Sequence, residues 1–322
     1  MKAIIYPQYG PPDTLELREV EIPSPQDDEV LVKVQAASVN PLDWHRMRGD
    51  PFLIRLVDGL LKPKNPTLGA DLAGTAAAVG KKVGHLRIGD EVFGMARRGA
   101  GAFAEYAIAR EEILALKPPN LSFAQAASVG VVGFTALQGL RDKGKIRPGQ
   151  SVLVNGASGG VGSFAVQIAK SYGTEVTGVC SARNFELVRS IGATHVIDYA
   201  QEDFTTGDKR YDLIFDAIAN RSAFEFRRAL HPGGICVSAG FSTLSHMFKE
   251  MLLAPLASLG NRKLVGLGMA KPNQADLLFL KDLLESGKVL PVIDRQYTLA
   301  ETAEAIRYLE TKRARGKVII NV

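Results

Sequence analysis

The segment from Val152 to Gly162, Val-Leu-Val-Asn-Gly-Ala-Ser-Gly-Gly-Val-Gly, is a short apolar run that breaks into a glycine-rich turn, and a helical stretch from Ser163 to Tyr172 follows directly. Gly156, Gly159 and Gly162 stand at i, i+3 and i+6, a spacing that differs from the plain G-x-G-x-x-G fingerprint. Residues without side chains let the backbone approach a bound group closely, and the unpaired N–H groups and positive dipole end of a helix face negative charge. A turn of this kind between strand and helix cradles a pyrophosphate, such as that of a dinucleotide. Alone, it serves equally well as an ordinary loop. Its setting favours the cradle: a strand precedes it, a helix follows, and a second strand, Glu175 to Val179, completes a βαβ unit.

That unit constrains the rest of the chain. From residue 123 on, β and α segments alternate, with strands predicted at 151–155, 175–179, 194–197, 212–216, 234–239 and 263–268. Such alternation predicts an open, doubly wound parallel sheet with helices on both faces. From Lys2 to about Pro119 the pattern is instead strand-rich and cut by turns, as in Glu29 to Val34 and Gly89 to Gly94, and predicts a small β-barrel-like domain. Pro118-Pro119-Asn120 marks the change, and Ser122 to Gln125 has the form of a capping box opening a helix. Beyond Pro272 come a helix, Asp276 to Glu285, a strand-like Val292 to Arg295, a second capping box at Thr298 to Glu301 opening a helix to Glu310, and a last strand, Lys317 to Val322. A terminal strand needs a sheet partner, so these pieces are expected to return to the first domain. The expected domains are residues 1–122 with 269–322, and residues 123–268.

At 322 residues and 46% hydrophobic, the chain can bury two cores. Its net charge of +5 is scattered, and the densest basic run, Lys312 to Lys317, follows a helix whose dipole it suits, so no nucleic-acid partner is expected. The two cysteines, Cys180 and Cys236, fall at or near predicted strand ends of one domain, which excludes a disulfide framework. Met1 to Tyr6 reads as a strand start rather than a targeting peptide. No apolar run reaches the roughly 18 residues that span a bilayer. The nearest, Met247 to Leu259, is interrupted by Lys249, Glu250 and Pro255 and reads as a lid or interface helix. A cytoplasmic protein without a membrane span is the expectation.

Several segments together carry a family pattern: Ala37-Ser38-Val39-Asn40-Pro41-Leu42-Asp43-Trp44, Leu68 to Gly74, Gly133 to Leu137, the Gly156 to Gly162 turn, and Val176 to Arg183 followed by Asp198-Tyr199. Over essentially its whole length the chain resembles the medium-chain dehydrogenase/reductase superfamily, and within it the zinc-independent quinone oxidoreductase and enone reductase branch. The resemblance implies a GroES-like β-barrel domain built from both chain ends, a Rossmann domain between them, and commonly a homodimer. It implies a nicotinamide dinucleotide on Ser158, Gly159, Gly160, Val161 and Gly162, with Thr135 near the nicotinamide and Asn40 at the nicotinamide ribose or the substrate. Ala239-Gly240-Phe241 and Val265-Gly266-Leu267 match loops that line the nicotinamide.

The choice of dinucleotide is expected at the end of the second Rossmann strand, where an NAD enzyme carries Asp or Glu on the ribose hydroxyls. Here the strand runs out as Val179-Cys180-Ser181-Ala182-Arg183-Asn184, without a carboxylate. Ser181 can donate to a 2′-phosphate and Arg183 can pair with it, which favours NADPH; alternatively both residues simply cap and open the next helix. Tyr199 matches a family tyrosine near the adenosine phosphate, or is a strand-end aromatic.

Zinc dehydrogenases of the superfamily need a catalytic Cys, a Gly-His-Glu segment and a third ligand. This chain has Ser38 or its neighbours at the cysteine's place and Gly69-Ala70-Asp71 for Gly-His-Glu, and Arg97 to Glu105 lacks the structural zinc cysteines. No metal is expected. Without a Lewis acid, reduction of a quinone or of a conjugated C=C fits, since charge spreads onto the carbonyl. The candidate catalytic residues are Asn40, as an amide donor, Asp43, which orders Asn40 or a water, and His45, expected to donate in either protonation state. For His45 an exposed helical position, and for Asp43 a helix cap, are the competing readings. Substrate choice is expected from two apolar segments, Gly49 to Asn65 and Phe241 to Arg262, which equally suit a lid or a subunit interface. The expected activity is NADPH-dependent reduction of a small-molecule quinone or α,β-unsaturated carbonyl substrate. A metal-free NADP-dependent alcohol or aldehyde oxidoreductase and an NADPH-binding scaffold without turnover are the alternatives.

Overall fold

The computed structural model describes residues 1–97, 101–240, 253–258 and 260–322. They form two compact units, one of Met1–Val131 with Pro272–Ser286 and Pro291–Val322, the other of Val132–Lys271 with Gly287–Leu290.

The β-rich unit opens with a two-stranded antiparallel pair, β1 (Lys2–Ile5) and β2 (Glu16–Glu19). Its central strand is β3 (Glu29–Val39), buried along its length except at Lys33 and Gln35. Helices α1 (Pro41–Arg48) and α2 (Leu53–Asp58) follow, then β4 (Asp71–Val79), β5 (Glu91–Met95), β6 (Tyr106–Arg110), β7 (Leu114–Leu116) and α3 (Phe123–Ala127). The expected capping box at Ser122 and Gln125 starts α3. α1 ends at Gly49, whose φ of 60° is the left-handed cap conformation that glycine enters without a Cβ penalty.

The second unit contains α4 (Gly130–Gln138, which begins in the first unit), β8 (Ser151–Asn155), α5 (Gly160–Ser171), β9 (Glu175–Cys180), α6 (Phe185–Ser190), β10 (His195–Asp198), β11 (Tyr211–Asp216), α7 (Ala223–Ala229), β12 (Leu230–Ser238) and β13 (Lys263–Gly266). Its six strands run in the order β10-β9-β8-β11-β12-β13, every pair parallel. Counted within the unit this is 3-2-1-4-5-6, the doubly wound order that places a ligand site at the carboxyl ends, where the order reverses. Leu153, Val179, Ile214 and Phe226 lie in its core. β12 starts four residues earlier than the sequence pattern indicates, because Pro232-Gly233-Gly234 reads as a turn. β13 stops at Gly266, before Gly268 takes φ +70°.

The chain then returns to the first unit with α8 (Gln274–Glu285), β14 (Ile293–Thr298), α9 (Thr302–Glu310) and β15 (Lys317–Asn321). The larger sheet there has the order β14-β15-β3-β4-β5-β7, with β6 also on β3. The last strand has thus found its partner: β15 pairs antiparallel with Ala36 to Val39 of β3. Leu299, Ala305, Ile306, Val318 and Ile320 complete a core that includes Val30, Val32, Leu72 and Phe103.

Candidate active site

The glycine turn has the shape a pyrophosphate requires. Gly156 takes φ +83°, a region open to glycine at no steric cost. A Cβ on Gly162 would stand 2.0 Å from the Gly156 carbonyl oxygen, whereas one on Gly159 would meet its nearest neighbour at 3.5 Å. Gly159 is the extended residue before α5, and the helix start leaves the N–H groups of Gly160, Val161 and Gly162 without acceptors inside the helix. Ser163 N makes the first helical bond, to Gly159 O at 2.8 Å. Bare backbone, free donors and a helix dipole fit a dinucleotide pyrophosphate.

Strand register aligns the carboxyl ends around this turn. Asn155, Asp216, Ser238 and Gly266 stand abreast on β8, β11, β12 and β13, and Cys180 lies beside Asp198 on β9 and β10. Ser181 and Arg183 follow β9, and Tyr199, 58% exposed, follows β10 with its N–H donated to Cys180 O. Ala239 donates its N–H to Asp216 O, and Leu267 donates to Ser238 O. Ala239 and Gly240 therefore continue β12 beside the end of β11, while Val265 and Gly266 are strand residues of β13 rather than loop. Thr135 is half-buried on α4, and Phe241 lies outside the described residues.

Two residues at this edge escape the sequence reading. Asn184, 5% exposed, donates through Nδ2 to Ser158 Oγ at 2.9 Å and Ser181 Oγ at 3.3 Å, tying the glycine turn to the end of β9. Its buried Oδ1 has no partner. Asp216, fully buried, accepts from Asn155 Nδ2 at 2.9 Å and from the N–H groups of Ile218 and Ala219, which locks β11 to β8. Neither contact has a spacing in sequence that would reveal it.

In the first unit, Ser38, Asn40, Asp43, Asp71 and Lys317 form a polar cluster in which no member is more than 3% exposed. Asp71 Oδ2 accepts from Ser38 Oγ at 2.8 Å and Asn40 Nδ2 at 2.9 Å, with Lys317 Nζ 3.5 Å away. Lys317 also donates to Asn40 Oδ1 at 2.6 Å, and Asn40 Nδ2 reaches Ser38 O. Both ends of the Asn40 amide are thereby engaged within the cluster. Asp43 accepts from Asn40 N at 2.8 Å and Gly69 N at 3.0 Å, capping α1 and joining it to the segment before β4. Burial raises the Asp43 carboxyl to about 6 against the pull of those two N–H bonds, and burial lowers Lys317 despite Asp71 beside it.

His45 is half-buried, with its ring stacked on Trp44 at 3.6 Å between centroids. Its Nδ1 lies 2.7 Å from Asp50 O. A carbonyl only accepts, so Nδ1 carries the hydrogen and Nε2 of the neutral ring accepts. Burial lowers its pKa, which favours the neutral ring, whose one N–H is then directed at Asp50 O. The apolar segment after Gly49 forms α2, with Phe52, Leu56 and Leu61 58%, 60% and 89% exposed. Of the second apolar segment, residues 241–252 and 259 lie outside the described residues.

Comparison with known proteins places the whole chain in a family. Residues 26–119 match the alcohol dehydrogenase GroES-like domain family and residues 191–320 the family described as zinc-binding dehydrogenase. The chain is 36% identical to 2-methylene-furan-3-one reductase of Solanum lycopersicum, over all of this chain and 79% of that protein. It is 36% identical to the NADPH-dependent alkenal/one oxidoreductase, chloroplastic, of Arabidopsis thaliana, over 99% of this chain and 79% of that protein. The solved quinone oxidoreductase from Coxiella burnetii superposes with a TM-score of 0.88 at 32% identity, covering 100% of this chain and 99% of that one. The chain belongs to the medium-chain dehydrogenase/reductase superfamily of nicotinamide-dependent oxidoreductases, in its quinone oxidoreductase and enone reductase branch. The zinc of the second family's name does not fit its residues: the segments of Ser38 and Asp71 bring one hydroxyl and one carboxylate, no thiolate or imidazole, and an ammonium 3.5 Å from the carboxylate. Among the described residues no helix is long and apolar enough to cross a membrane.

Proposed function

We propose that the chain is an NADPH-dependent, zinc-free reductase of quinones or of the C=C bond of α,β-unsaturated carbonyl compounds. The observation that carries this reading is the buried group of Ser38, Asn40, Asp71 and Lys317, which holds hydrogen bonds and an ammonium where a zinc dehydrogenase needs a Lewis acid. A conjugated substrate needs less polarisation than an isolated carbonyl. When bound, NADPH supplies the hydride. Addition at the β-carbon moves the C=C electron pair toward the carbonyl oxygen as an enolate, and a proton from water completes the α-carbon. The names of the tomato and Arabidopsis relatives support this substrate class.

In this reading the second unit holds the dinucleotide, through residues 158–162, Thr135, Tyr199, Ala239 to Phe241 and Val265 to Leu267, and the first holds the substrate. Ser181 and Arg183 take the 2′-phosphate, a charge-assisted contact worth roughly 1.5–3 kcal/mol. Asn40 and Asp43 hold the substrate-side wall in shape, and His45 contributes packing and an acceptor. A cytoplasmic homodimer completes the proposal; several relatives carry chloroplastic names, so fractionation of the native cell and light scattering of the purified protein test these two points.

The test of function is NADPH consumption with an enone, a quinone and a simple aldehyde. Turnover of the first two and not the third is the expected result. Turnover of the aldehyde alone makes the chain a carbonyl reductase, and tight NADPH binding without turnover makes it a scaffold. Arg183→Ala should lower the preference for NADPH over NADH by about 10-fold or more; an unchanged preference removes the phosphate role. His45→Phe, which keeps the stack on Trp44, should leave turnover within about 10-fold, since loss of a general acid costs about 10²–10⁴.

A further inference from the structure

We infer that the amino-terminal edge of the parallel sheet in the second unit binds a small molecule carrying two adjacent phosphates, at a site separate from the dinucleotide turn. A cavity of about 430 Å³ opens there, and its lining among the described residues is Thr205, Thr206, Arg210, Arg227, Arg228 and Arg262, without a carboxylate. That volume is in the range of small-ligand pockets, roughly 300–1,000 Å³.

The four arginines come from three separate places in the chain. Arg210 immediately precedes β11, Arg227 and Arg228 close α7 just before β12, and Arg262 immediately precedes β13. The helix dipole accounts for the two in the last turn of α7. It does not account for Arg210 and Arg262, which reach the same cavity from two other strand entrances. Arg262 is anchored by Nε to Leu230 O at 2.9 Å, and Arg210 by Nη1 to Lys209 O at 3.0 Å, so both guanidinium groups are held by the backbone. Of the nearby carboxylates, Asp203 accepts from Thr205 Oγ1 at 2.8 Å, pairs with Arg221 and is held down in part by the charge of Arg228, and Glu225 closes the cap on Ser222.

Guanidinium forks match phosphate oxygens in pairs. Each phosphate carries about −1.5 to −2 charges near neutral pH and three acceptor oxygens, so two adjacent phosphates engage more of these forks at once than a single one does. A concave site gathers these charges on one small anion, where a macromolecule would call for a spread surface. The glycine turn follows the carboxyl end of β8, one strand length away, about 20 Å at the usual rise per residue.

The probe is inorganic pyrophosphate, titrated calorimetrically into the protein saturated with NADPH. One site per chain is expected, weakened by about 10-fold or more in Arg228→Glu and several-fold in Arg262→Lys, which keeps the charge but loses the fork. Arg228 is exposed, so its substitution should leave folding intact; Arg228→Gln is the second variant if it does not. Absence of binding overturns the inference, as does binding that NADPH displaces or that Arg228→Glu and Arg228→Gln leave unchanged. Equal binding of sulfate at matched ionic strength means an adventitious ion only. Binding confined to a single-stranded oligonucleotide or to anionic vesicles equally rejects a small-molecule site.

Discussion

Asp43 and Lys317 are residues whose environment opposes their charge. Asp43 keeps its proton to about pH 6 in the folded chain against an ordinary 3.8. A carboxyl whose folded value is raised stabilises the folded state fully below the unfolded value, and that contribution disappears as pH rises through the folded one. The stability difference between the wild type and Asp43→Asn, followed by denaturant titration, should therefore shift against the wild type by about 2 kcal/mol between pH 4 and 6.5, with a limiting slope of about 1.4 kcal/mol per pH unit. A flat difference refutes it. The sequence offered Asp43 either as a helix cap or as a group ordering Asn40. Geometry joins the two, since its two oxygens hold the backbone of Asn40 and of Gly69, 26 residues on. Ser38 and Asp71 were legible as segments that lack zinc ligands. Lys317 was not, because nothing in Arg-Gly-Lys-Val indicates an ammonium delivered to a carboxylate 246 positions earlier.

At the scale of elements, strand and helix periodicity made the second unit readable, and its βαβ pattern gave the strand set before any register was known. The glycine turn was the most legible part, because at Gly156 and Gly162 its geometry leaves no room for a side chain. Gly162→Ala forces a Cβ to within 2.0 Å of backbone oxygen, and overpacking of this kind costs typically about 1–3 kcal/mol. Dinucleotide affinity measured by fluorescence titration should drop by roughly 5- to 100-fold; unchanged affinity would detach the turn from cofactor binding. Less legible were the elements that depend on tertiary partners. β12 runs through Pro232 and two glycines, whose turn chemistry concealed a strand start that pairing with β11 imposes. Asn184 reads as one more polar residue in a loop, and its link between Ser158 and Ser181 follows only from how β9 leaves the sheet.

For the molecule as a whole, the first unit is stitched from both ends of the chain. Lys317 lies on β15, and its ammonium is the buried cation beside Asp71. Lys317→Met should destabilise the chain by about 3–5 kcal/mol, the usual effect of removing one partner of a buried pair. Adding Asp71→Asn should recover part of that loss, a coupling read from a double-mutant cycle in denaturant. Additive losses would mean that the two charges do not interact.

The seating of β15 against Ala36 to Val39 sets an order of events on the ribosome. All of β3, β4 and β6 emerge early, and β6 covers only the Glu29 to Lys33 portion of the shared edge. The remainder waits with unpaired backbone groups until some 280 further residues have been made, tens of seconds at about 5–20 residues per second. An open edge of this kind recruits foreign strands, so the nascent chain carries its greatest aggregation risk beside Ser38 and Asn40, and those two are among the last residues to reach their final surroundings.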